Sequence, residues 1–324
     1  MSEFLKITGL TIDFDTPRGQ LHAVRGVDLE VAAGESLGIV GESGSGKTVM
    51  SRATMGLLRG RRVKRGGSVR FEGIELLPLS NKEIRDFWGT KIAMVFQDPM
   101  TALNPVRRIG SQMDEALIKR LGKTKIEAET RSLELMKLVR IPDPEAVLRK
   151  YPHQLSGGMR QRVMIAMAIA CNPQLLFADE PTTALDVTVQ AQILELISEL
   201  RDELGMAMVI ITHDLGVVAM HTDRVAVMYA GEVVELADTK ELFANPRMPY
   251  TEALMNSIPR LDREPGERLP SIAGTPPDPT APRTGCGFAA RCKYATDKCR
   301  NEHPELVDDG KGHVYRCFFP LGGN

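Results

Sequence analysis

Gly41-Glu42-Ser43-Gly44-Ser45-Gly46-Lys47-Thr48 follows the short apolar run Ser36-Leu37-Gly38-Ile39-Val40 and precedes a segment, residues 47–58, with helical character. The stretch satisfies G-x-x-x-x-G-K-[ST] in the order strand, loop, helix that a phosphate-binding loop requires. Its glycines let the backbone curl so that successive N–H groups face inward, and the positive end of the helix dipole adds to the attraction for anions. This phosphate loop therefore predicts a site for the polyphosphate of a nucleotide.

Two side chains of the phosphate loop and two that follow a later strand have predicted roles in the chemistry. Lys47 is expected to bridge the β- and γ-phosphates, and the Thr48 hydroxyl to bind magnesium. A buried strand at residues 175–178 ends at Asp179, a second expected magnesium contact. The next residue, Glu180, can accept a proton from the attacking water or hold that water in line, so it is the predicted general base.

The order of patterns along the chain predicts an α/β fold. Residues 4–15 and 21–31 alternate between apolar and polar side chains, as half-buried antiparallel strands do. Short strands are also predicted at residues 68–71 and 91–96. Residues 106 to about 148 show helical spacing without a convincing strand, and a further helix is predicted to start at Ser156. Beyond them, a strand at 175–178, a helix at 188–204 and a strand at 208–211 predict a parallel sheet flanked by helices.

Composition limits the class of partner. The 324 residues carry 41 Lys and Arg against 42 Asp and Glu, a formal net charge of -1, so there is no overall positive field to attract nucleic acid. The longest apolar run, residues 163–171, is much shorter than the roughly 20 residues that span a bilayer. The first residues lack a secretory signal pattern, so we expect a cytosolic protein.

The C-terminal part has a different composition. Six prolines fall between residues 265 and 282, which predicts a linker over residues 259–285 in place of a helix or central strand. The residues beyond it are too few and too polar to fold by burial alone, so cross-links or a metal are expected. Four of the five cysteines lie here, and in a reducing compartment they indicate metal ligation before disulfides. They are Cys286, Cys292, Cys299 and Cys317.

The segment Leu155-Ser156-Gly157-Gly158-Met159-Arg160-Gln161-Arg162 resembles the signature of ATP-binding-cassette (ABC) ATPases. Other cassette motifs follow that family's order: Gln97 after a strand resembles the glutamine loop, Ala184-Leu185-Asp186 the aspartate loop, and His213 the switch histidine. The resemblance covers about residues 4–258. It implies a P-loop NTPase cassette with a RecA-like core sheet, an antiparallel β subdomain and a helical subdomain at about 98–165, within an ATPase domain of residues 1–258.

The resemblance also implies roles for these residues. Two glycines at a helix start expose unpaired N–H groups, and the Ser156 hydroxyl beside them completes a γ-phosphate site. That site serves the nucleotide of a second cassette, so two cassettes face each other head to tail. His213 is expected at the γ-phosphate, Gln97 at magnesium or water, and Phe14 against the adenine ring, although Phe14 could equally be a core residue. The predicted nucleotide-contacting residues are Phe14, Gly41, Glu42, Ser43, Gly44, Ser45, Gly46, Lys47, Thr48, Ser156, Gly157, Gly158 and Asp186.

Local strings are similar to the dipeptide and oligopeptide importer branch: residues 96–105, Tyr151-Pro152-His153-Gln154 and Pro249-Tyr250-Thr251. The branch implies a hetero-pair of ATPase subunits, two transmembrane permeases and an extracytoplasmic solute-binding protein, at the cytoplasmic face of the bacterial inner membrane. The cargo stays open among dipeptides, longer peptides, nickel chelates, haem and sugars. The alternative is a cassette ATPase without a membrane partner, acting as a nucleotide-gated clamp. The neutral net charge and the lack of a long coiled-coil insertion count against that alternative.

The cysteine spacing also resembles this branch, for some members of which a 4Fe-4S cluster is implied. Four thiolates suit an iron–sulfur cluster or tetrahedral zinc. The spacing Cys286-x5-Cys292-x6-Cys299-x17-Cys317 lacks the C-x2-C pairs of common zinc ribbons, which favours iron–sulfur over zinc. Unmetallated thiols are the third possibility in aerobically purified protein.

Overall fold

The computed structural model of the protein describes residues 4–183, 185–257 and 272–322. Two predictions fall partly outside these ranges: Ala184 of the aspartate loop, and residues 259–271 of the proline-rich linker. The chain forms two compact units that alternate along the sequence. Unit 1 contains the described residues of 1–31, 36–78 and 211–324, and unit 2 contains those of 32–35 and 79–210.

The helices and strands of the described residues have the following bounds. The strands are β1 (Leu5–Thr16), β2 (Gly19–Val31), β3 (Ser36–Val40), β4 (Val63–Phe71), β5 (Ile74–Glu75), β6 (Ile92–Val95), β7 (Leu175–Asp179), β8 (Ala207–Thr212), β9 (Arg224–Tyr229), β10 (Glu232–Asp238), β11 (Val307–Asp308) and β12 (Val314–Tyr315). The helices are α1 (Lys47–Thr54), α2 (Asn81–Arg85), α3 (Pro99–Ala102), α4 (Ile109–Leu121), α5 (Lys125–Leu138), α6 (Pro144–Leu148), α7 (Gly157–Ile169), α8 (Val187–Leu204), α9 (Leu215–His221), α10 (Thr239–Ala244), α11 (Pro249–Asn256) and α12 (Asp297–Asn301).

Unit 1 has an antiparallel sheet in the order β2-β1-β4-β5. Its first two strands agree with the prediction, but β4 begins at Val63, five residues before the predicted start. The reason is pairing: β1 is long, and Phe14 near its end lies opposite Val63. Gly66 and Gly67 interrupt the apolar pattern of β4, so pairing with β1 forms a strand that local preference does not indicate.

A second run of strands in unit 1 has the order β11-β12-β10-β9-β3. β3 and β9 are parallel, β9 and β10 form an antiparallel hairpin, and β12 adds the C-terminal extension to β10. Every residue of β3 is buried, as expected for a central parallel strand. The helix predicted at 47–58 ends earlier, at Thr54, because Gly56 adopts a left-handed φ of 67°.

Unit 2 has the strand order β8-β7-β6, with β6 and β7 parallel and buried. Between residues 99 and 169 the described elements are all helical, α3 to α7. The predicted helix that starts at Ser156 is α7, and the one predicted at 188–204 is α8. Across the described ranges, none of the helices combines the length and the apolar character needed to span a membrane.

Candidate active site

The phosphate loop follows β3, and two of its glycines occupy positions that only glycine fits. Gly41 has a φ of 153°, and a Cβ there would lie 2.1 Å from the Met228 carbonyl oxygen. Gly46 has a φ of 101°, and its Cβ would lie 2.5 Å from the Ala23 carbonyl oxygen. Because these neighbours are backbone atoms of strands, they cannot move aside cheaply. The loop is therefore packed tightly against β9 and β2, with its curvature set by glycine.

Lys47 is the first residue of α1, and its side chain folds back to hydrogen-bond the phosphate loop. Its side chain is buried, and Nζ donates to the carbonyl oxygens of Gly41 at 2.8 Å and Glu42 at 2.9 Å. An ammonium held across the mouth of a loop at a helix N-terminus provides a fixed positive charge for phosphate oxygens. The arrangement suits a polyphosphate ligand, because charge and backbone dipoles converge on one place.

The acidic pair lies in unit 2, at the end of β7. Asp179 is fully buried. Glu180 has a φ of 45°, a left-handed conformation that costs a non-glycine residue about 1–3 kcal/mol. Its Oε2 accepts hydrogen bonds from Gln97 Nε2 at 2.8 Å and from Thr183 Oγ1 at 3.0 Å. The structure thus brings together two predicted catalytic residues, Gln97 and Glu180, and holds the carboxylate in a fixed orientation.

The signature residues also lie in unit 2, at the start of α7. Ser156 is the N-cap, its side chain accepting from Met159 N at 3.3 Å, and Gly157 follows it as an exposed residue. Gly158 lies against α8, since a Cβ there would be 3.0 Å from Val189 Cγ1. Asp186 caps α8 by accepting from Val189 N at 3.0 Å. The helix starts that carry the predicted signature and aspartate loop are therefore neighbours.

Two predicted residues of unit 1 lie outside the phosphate loop. His213 is exposed and follows β8 directly. The adjacent Asp214 caps α9, accepting from Gly216 N at 2.7 Å. Phe14 is half-buried on β1, opposite Leu21 of β2. The roles of His213 at the γ-phosphate and of Phe14 at the adenine ring stay predictions.

Sequence reasoning missed a pair of contacts that hold the second residue of the phosphate loop. Glu42 N donates to the Tyr250 hydroxyl at 2.9 Å, and the Glu42 carboxylate accepts from the Arg291 guanidinium at 2.6 and 2.9 Å. Arg291 and Glu42 are 249 residues apart in the chain. Tyr250 stands in a string that the family resemblance singled out, and Arg291 lies between the first two cysteines of the extension, but nothing local in the sequence indicates either contact.

The four C-terminal cysteines line one small apolar cavity in unit 1, together with Phe288, Phe318 and Phe319 among others. All four are free thiols. Burial raises the pKa of Cys317 to about 11, and the neighbouring cysteines add to the increase. The pKa values of Cys286 and Cys292 are raised too, chiefly by burial. In the described part of the chain, no group of three His, Cys, Asp or Glu side chains is arranged to hold a metal ion.

Comparisons with known proteins agree with this architecture. The family described as ABC transporter matches residues 24–183, and the family described as oligopeptide/dipeptide transporter, C-terminal region, matches residues 234–299. The dimeric ATP-binding cassette MJ0796, solved with ADP and Pi, is similar with a TM-score of 0.66 and 30% identity, covering 73% of this chain and 99% of that one. The predicted ABC cassette fold is therefore confirmed.

Curated relatives match over nearly the whole length. The oligopeptide transport ATP-binding protein OppD of Bacillus subtilis is 51% identical, covering 98% of this chain and 89% of its own. The dipeptide transport ATP-binding protein DppD of the same organism is 48% identical over 98% of this chain and 95% of its own length. DppD of Haemophilus influenzae is 50% identical over 98% of this chain and 96% of its own length. The chain therefore belongs to the ABC transporter ATP-binding proteins, in the branch that carries the oligopeptide/dipeptide transporter C-terminal region.

Proposed function

We propose that this chain is the ATP-hydrolysing subunit of an importer for dipeptides or oligopeptides, coupled to membrane permeases. The observation that carries the ATPase chemistry is Glu180 at the end of a buried strand: its backbone has a left-handed φ of 45°, and its carboxylate accepts hydrogen bonds from Gln97 and Thr183. Strain of this kind persists where the surrounding structure enforces it, and it is concentrated at active sites. The peptide cargo is supported by the names of the relatives and by the C-terminal family match.

The phosphate loop would hold the nucleotide, with the Lys47 ammonium directed at the β- and γ-phosphates. Thr48, Gln97 and Asp179 would hold magnesium, which neutralises charge that develops on the phosphates. Their hydroxyl, amide and carboxylate oxygens are the hard donors that Mg²⁺ prefers, so the residues present suit the ion. Gln97 Nε2 donates to Glu180, so the amide nitrogen of this side chain would orient the base while its oxygen would be available to magnesium.

Glu180 would act on the water that attacks the γ-phosphate, with His213 contacting that phosphate. The carboxylate accepts the water proton or fixes the water in line with the leaving group, a contribution of typically 10²–10⁴-fold. Thr183 and Gln97 keep the carboxylate from rotating away, because both donate to the same oxygen. These residues supply orientation and proton acceptance, while the phosphate loop supplies charge.

The signature at the start of α7 would complete the ATP site of a second cassette. Ser156 and Gly157 are exposed at a helix N-terminus, the end of a helix that attracts anions. The similar cassette MJ0796 is described as a dimer with ADP and Pi. ATP would then join two cassettes head to tail, and its hydrolysis would separate them. Asp186, at the neighbouring start of α8, would contact the same nucleotide.

The partners we propose are a second, homologous ATPase subunit, two transmembrane permeases and, indirectly, an extracytoplasmic solute-binding protein, with no nucleic acid. The protein would lie at the cytoplasmic face of the bacterial inner membrane. Residues 98–105 on the helical side would form the groove for the permease. We further propose residues 1–258 as the ATPase domain, 259–285 as the linker and 286–324 as the cysteine-rich extension.

We infer that the four cysteines of the extension hold a metal cluster, with 4Fe-4S preferred to zinc. The support is that all four thiols line one apolar cavity, where burial raises the pKa values of Cys286, Cys292 and Cys317. Thiolates in such a cavity would need a compensating cation. As placed, these thiols do not form a single-ion site within the described residues. Cys286, Cys292, Cys299 and Cys317 would be the ligands, and the cluster would join the segments of the extension.

Glu180→Gln tests the function. The substitution keeps the size and shape of the side chain and removes its ability to accept a proton. We expect ATP binding to survive, hydrolysis to fall at least about 100-fold, and peptide uptake to fail in a deletion strain complemented with the variant. The control is Glu203→Gln, an exposed glutamate on α8, which should hydrolyse ATP normally. Unchanged turnover in Glu180→Gln would refute the assignment of the base, and a chain that never copurifies with polytopic membrane proteins would refute the importer.

The cluster is tested by purification without oxygen. We expect brown protein whose visible absorption is bleached by dithionite, with iron and sulfide in elemental analysis. Replacing the four cysteines with serine should remove the colour, whereas Cys171→Ser, outside the extension, should keep it. Zinc without iron would overturn the iron–sulfur assignment. Metal-free protein after anaerobic purification would overturn both the iron–sulfur and the zinc assignments.

A further inference from the structure

We propose that Arg291 of the cysteine-bearing extension is a positioning residue of the phosphate loop, and that through Glu42 the extension sets the affinity for ATP. The inference deepens the proposed ATPase function and rests on it. All the contacts lie within unit 1, so they belong to one compact body. The predicted role of the extension was metal binding alone, and this contact links it to the nucleotide.

The link is a two-point ion pair. Arg291 Nη1 lies 2.6 Å from Glu42 Oε2, and Nη2 lies 2.9 Å from Glu42 Oε1. A guanidinium that meets a carboxylate as a fork fixes both the position and the plane of its partner. The Arg291 side chain is only 3% exposed and that of Glu42 27% exposed, so solvent screens the pair weakly. Removing one member would leave a charge partly buried without its partner.

Arg291 is itself held in place. Its Nε donates to the Ala273 carbonyl oxygen at 2.9 Å, and Nη2 also donates to the Ile272 carbonyl oxygen at 3.1 Å. The guanidinium carbon lies 5.8 Å from the ring centre of Tyr229 and 5.9 Å from that of Phe288, within range of cation–π attraction. Because Arg291 is fixed in this way, a movement of the extension would move Glu42 with it.

A second contact fixes the backbone at the same residue. Glu42 N donates to the Tyr250 hydroxyl at 2.9 Å, and the Tyr250 side chain is fully buried. The ring centre of Tyr250 lies 5.3 Å from that of Phe288, which the extension contributes. Glu42 is thus held through its side chain by Arg291 and through its backbone by Tyr250, and Phe288 of the extension packs against the latter.

The position of Glu42 matters for phosphate binding because its carbonyl oxygen organises the loop. That oxygen accepts from Lys47 Nζ at 2.9 Å and from Ser45 N at 3.2 Å. A shift of Glu42 therefore moves the lysine directed at the β- and γ-phosphates and the turn that aims the backbone amides. Small errors in such geometry reduce binding steeply, since the loop works by convergence of its donors.

The cysteines can affect the phosphate loop because two of them flank the segment that supplies Phe288 and Arg291. Phe288 and Arg291 lie between Cys286 and Cys292, and these two cysteines pack against the hydrophobic cluster that contains Tyr229 and Tyr250. A change at either thiol displaces a segment of only five intervening residues. A change in the cysteine cavity would thus shift Arg291, and through Arg291 it would shift Glu42 of the phosphate loop.

The test is equilibrium binding of a fluorescent ATP analogue to the full-length chain. We expect Arg291→Met to weaken binding roughly tenfold, the scale of one charge-assisted hydrogen-bond pair. Arg291→Lys should fall between Met and wild type, because lysine keeps the charge but loses the fork. Arg316→Met is the matched control: Arg316 also ties the extension to β10, through the Val233 carbonyl oxygen, but does not touch the phosphate loop. It should bind ATP as wild type does.

A double-mutant cycle separates positioning from general destabilisation. Glu42→Gln should weaken binding by itself, and Arg291→Met combined with Glu42→Gln should bind no worse than Arg291→Met, because the two act through one contact. If Arg291→Met does not fold, Glu42→Gln alone carries the test, since Glu42 is the more exposed partner. Fully additive losses, or wild-type affinity in either single variant, would overturn the proposal.

The cysteine route has its own readout. Cys292→Ser should weaken ATP binding when Arg291 is present and have little further effect in Arg291→Met, whereas equal loss in both backgrounds would overturn the coupling. Binding by the wild-type chain is measured first. If that chain binds no ATP, the proposed ATPase function fails; if it binds ATP and Arg291→Met binds it equally well, only the present inference fails.

Discussion

Gly46→Ala is expected to disable the phosphate loop, and the structure allows the effect to be sized. Gly46 precedes α1 with a φ of 101°, and an alanine Cβ would lie 2.5 Å from the Ala23 carbonyl oxygen of β2. Real Cβ atoms do not approach so closely, and the obstacle is backbone in a paired strand. The loop must therefore move, and its amides and Lys47 move with it.

Two terms contribute to the size of the effect. Left-handed backbone costs an alanine about 1–2 kcal/mol. Displacing the loop from the strand adds a packing cost of similar size, which brings the total to about 3 kcal/mol. If the loop avoids the overlap by shifting, most of that free energy is lost from ATP binding, which corresponds to about 100-fold in Kd. Gly73→Ala separates the two terms, because Gly73 has a φ of 80° with nothing within 4 Å of an added Cβ.

The assay compares ATP titration and thermal melting for wild type, Gly46→Ala and Gly73→Ala. Gly73→Ala should lower the Tm slightly through backbone strain and leave ATP affinity unchanged, since the residue lies in the β4–β5 turn. Gly46→Ala should lose ATP affinity far beyond any change in Tm. Normal ATP binding by Gly46→Ala would refute the reasoning, because it would show that the loop tolerates a Cβ at the closest approach.

Further predictions concern other parts of the site. Lys47→Ala should weaken ATP binding itself by about tenfold or more, and the same titration would contradict this if the affinity held. Ser156→Ala removes the N-cap of α7 at a cost of about 1 kcal/mol; ATP-dependent pairing should weaken in sedimentation while single-chain ATP binding persists, and unaltered pairing would argue against the composite site. Burial raises the pKa of the Cys171 thiol from 9.0. Fewer thiolates then exist at pH 8, so alkylation followed by mass spectrometry should be slow there and accelerate above pH 9, whereas a rate equal to that of the unfolded chain would contradict the burial.

The local motifs could be assigned from sequence because each depends on residues that are contiguous. The glycine spacing of the phosphate loop encodes its own curvature, and an apolar run that ends at Asp179 identifies a buried strand and the acidic residues after it. The start of α7 at Ser156 was predicted for the same reason, since an N-cap and the helix it begins are neighbours in the chain.

Elements that depend on pairing were predicted less well. β4 was expected from residue 68 but begins at Val63, because β1 provides hydrogen-bonding partners along its whole length. The hairpin of β9 and β10 was not predicted, because its turn gives no clear signal in the sequence. Nearly all residues of its two strands are buried, because the strands are packed on both faces. Strand formation depends on neighbours that local preference does not represent.

The sequence by itself predicted a nucleotide site at residues 41–48, and it determined that Glu180 follows a buried strand and that four cysteines cluster in the C-terminal extension. Only the tertiary structure decided that Gln97 donates to Glu180, that the cysteines share one cavity, and that Arg291 holds Glu42 from 249 residues away. The physical reason is that backbone geometry and burial patterns are local properties of a chain. An ion pair between distant residues exists only after folding has brought the two side chains together and fixed their distance.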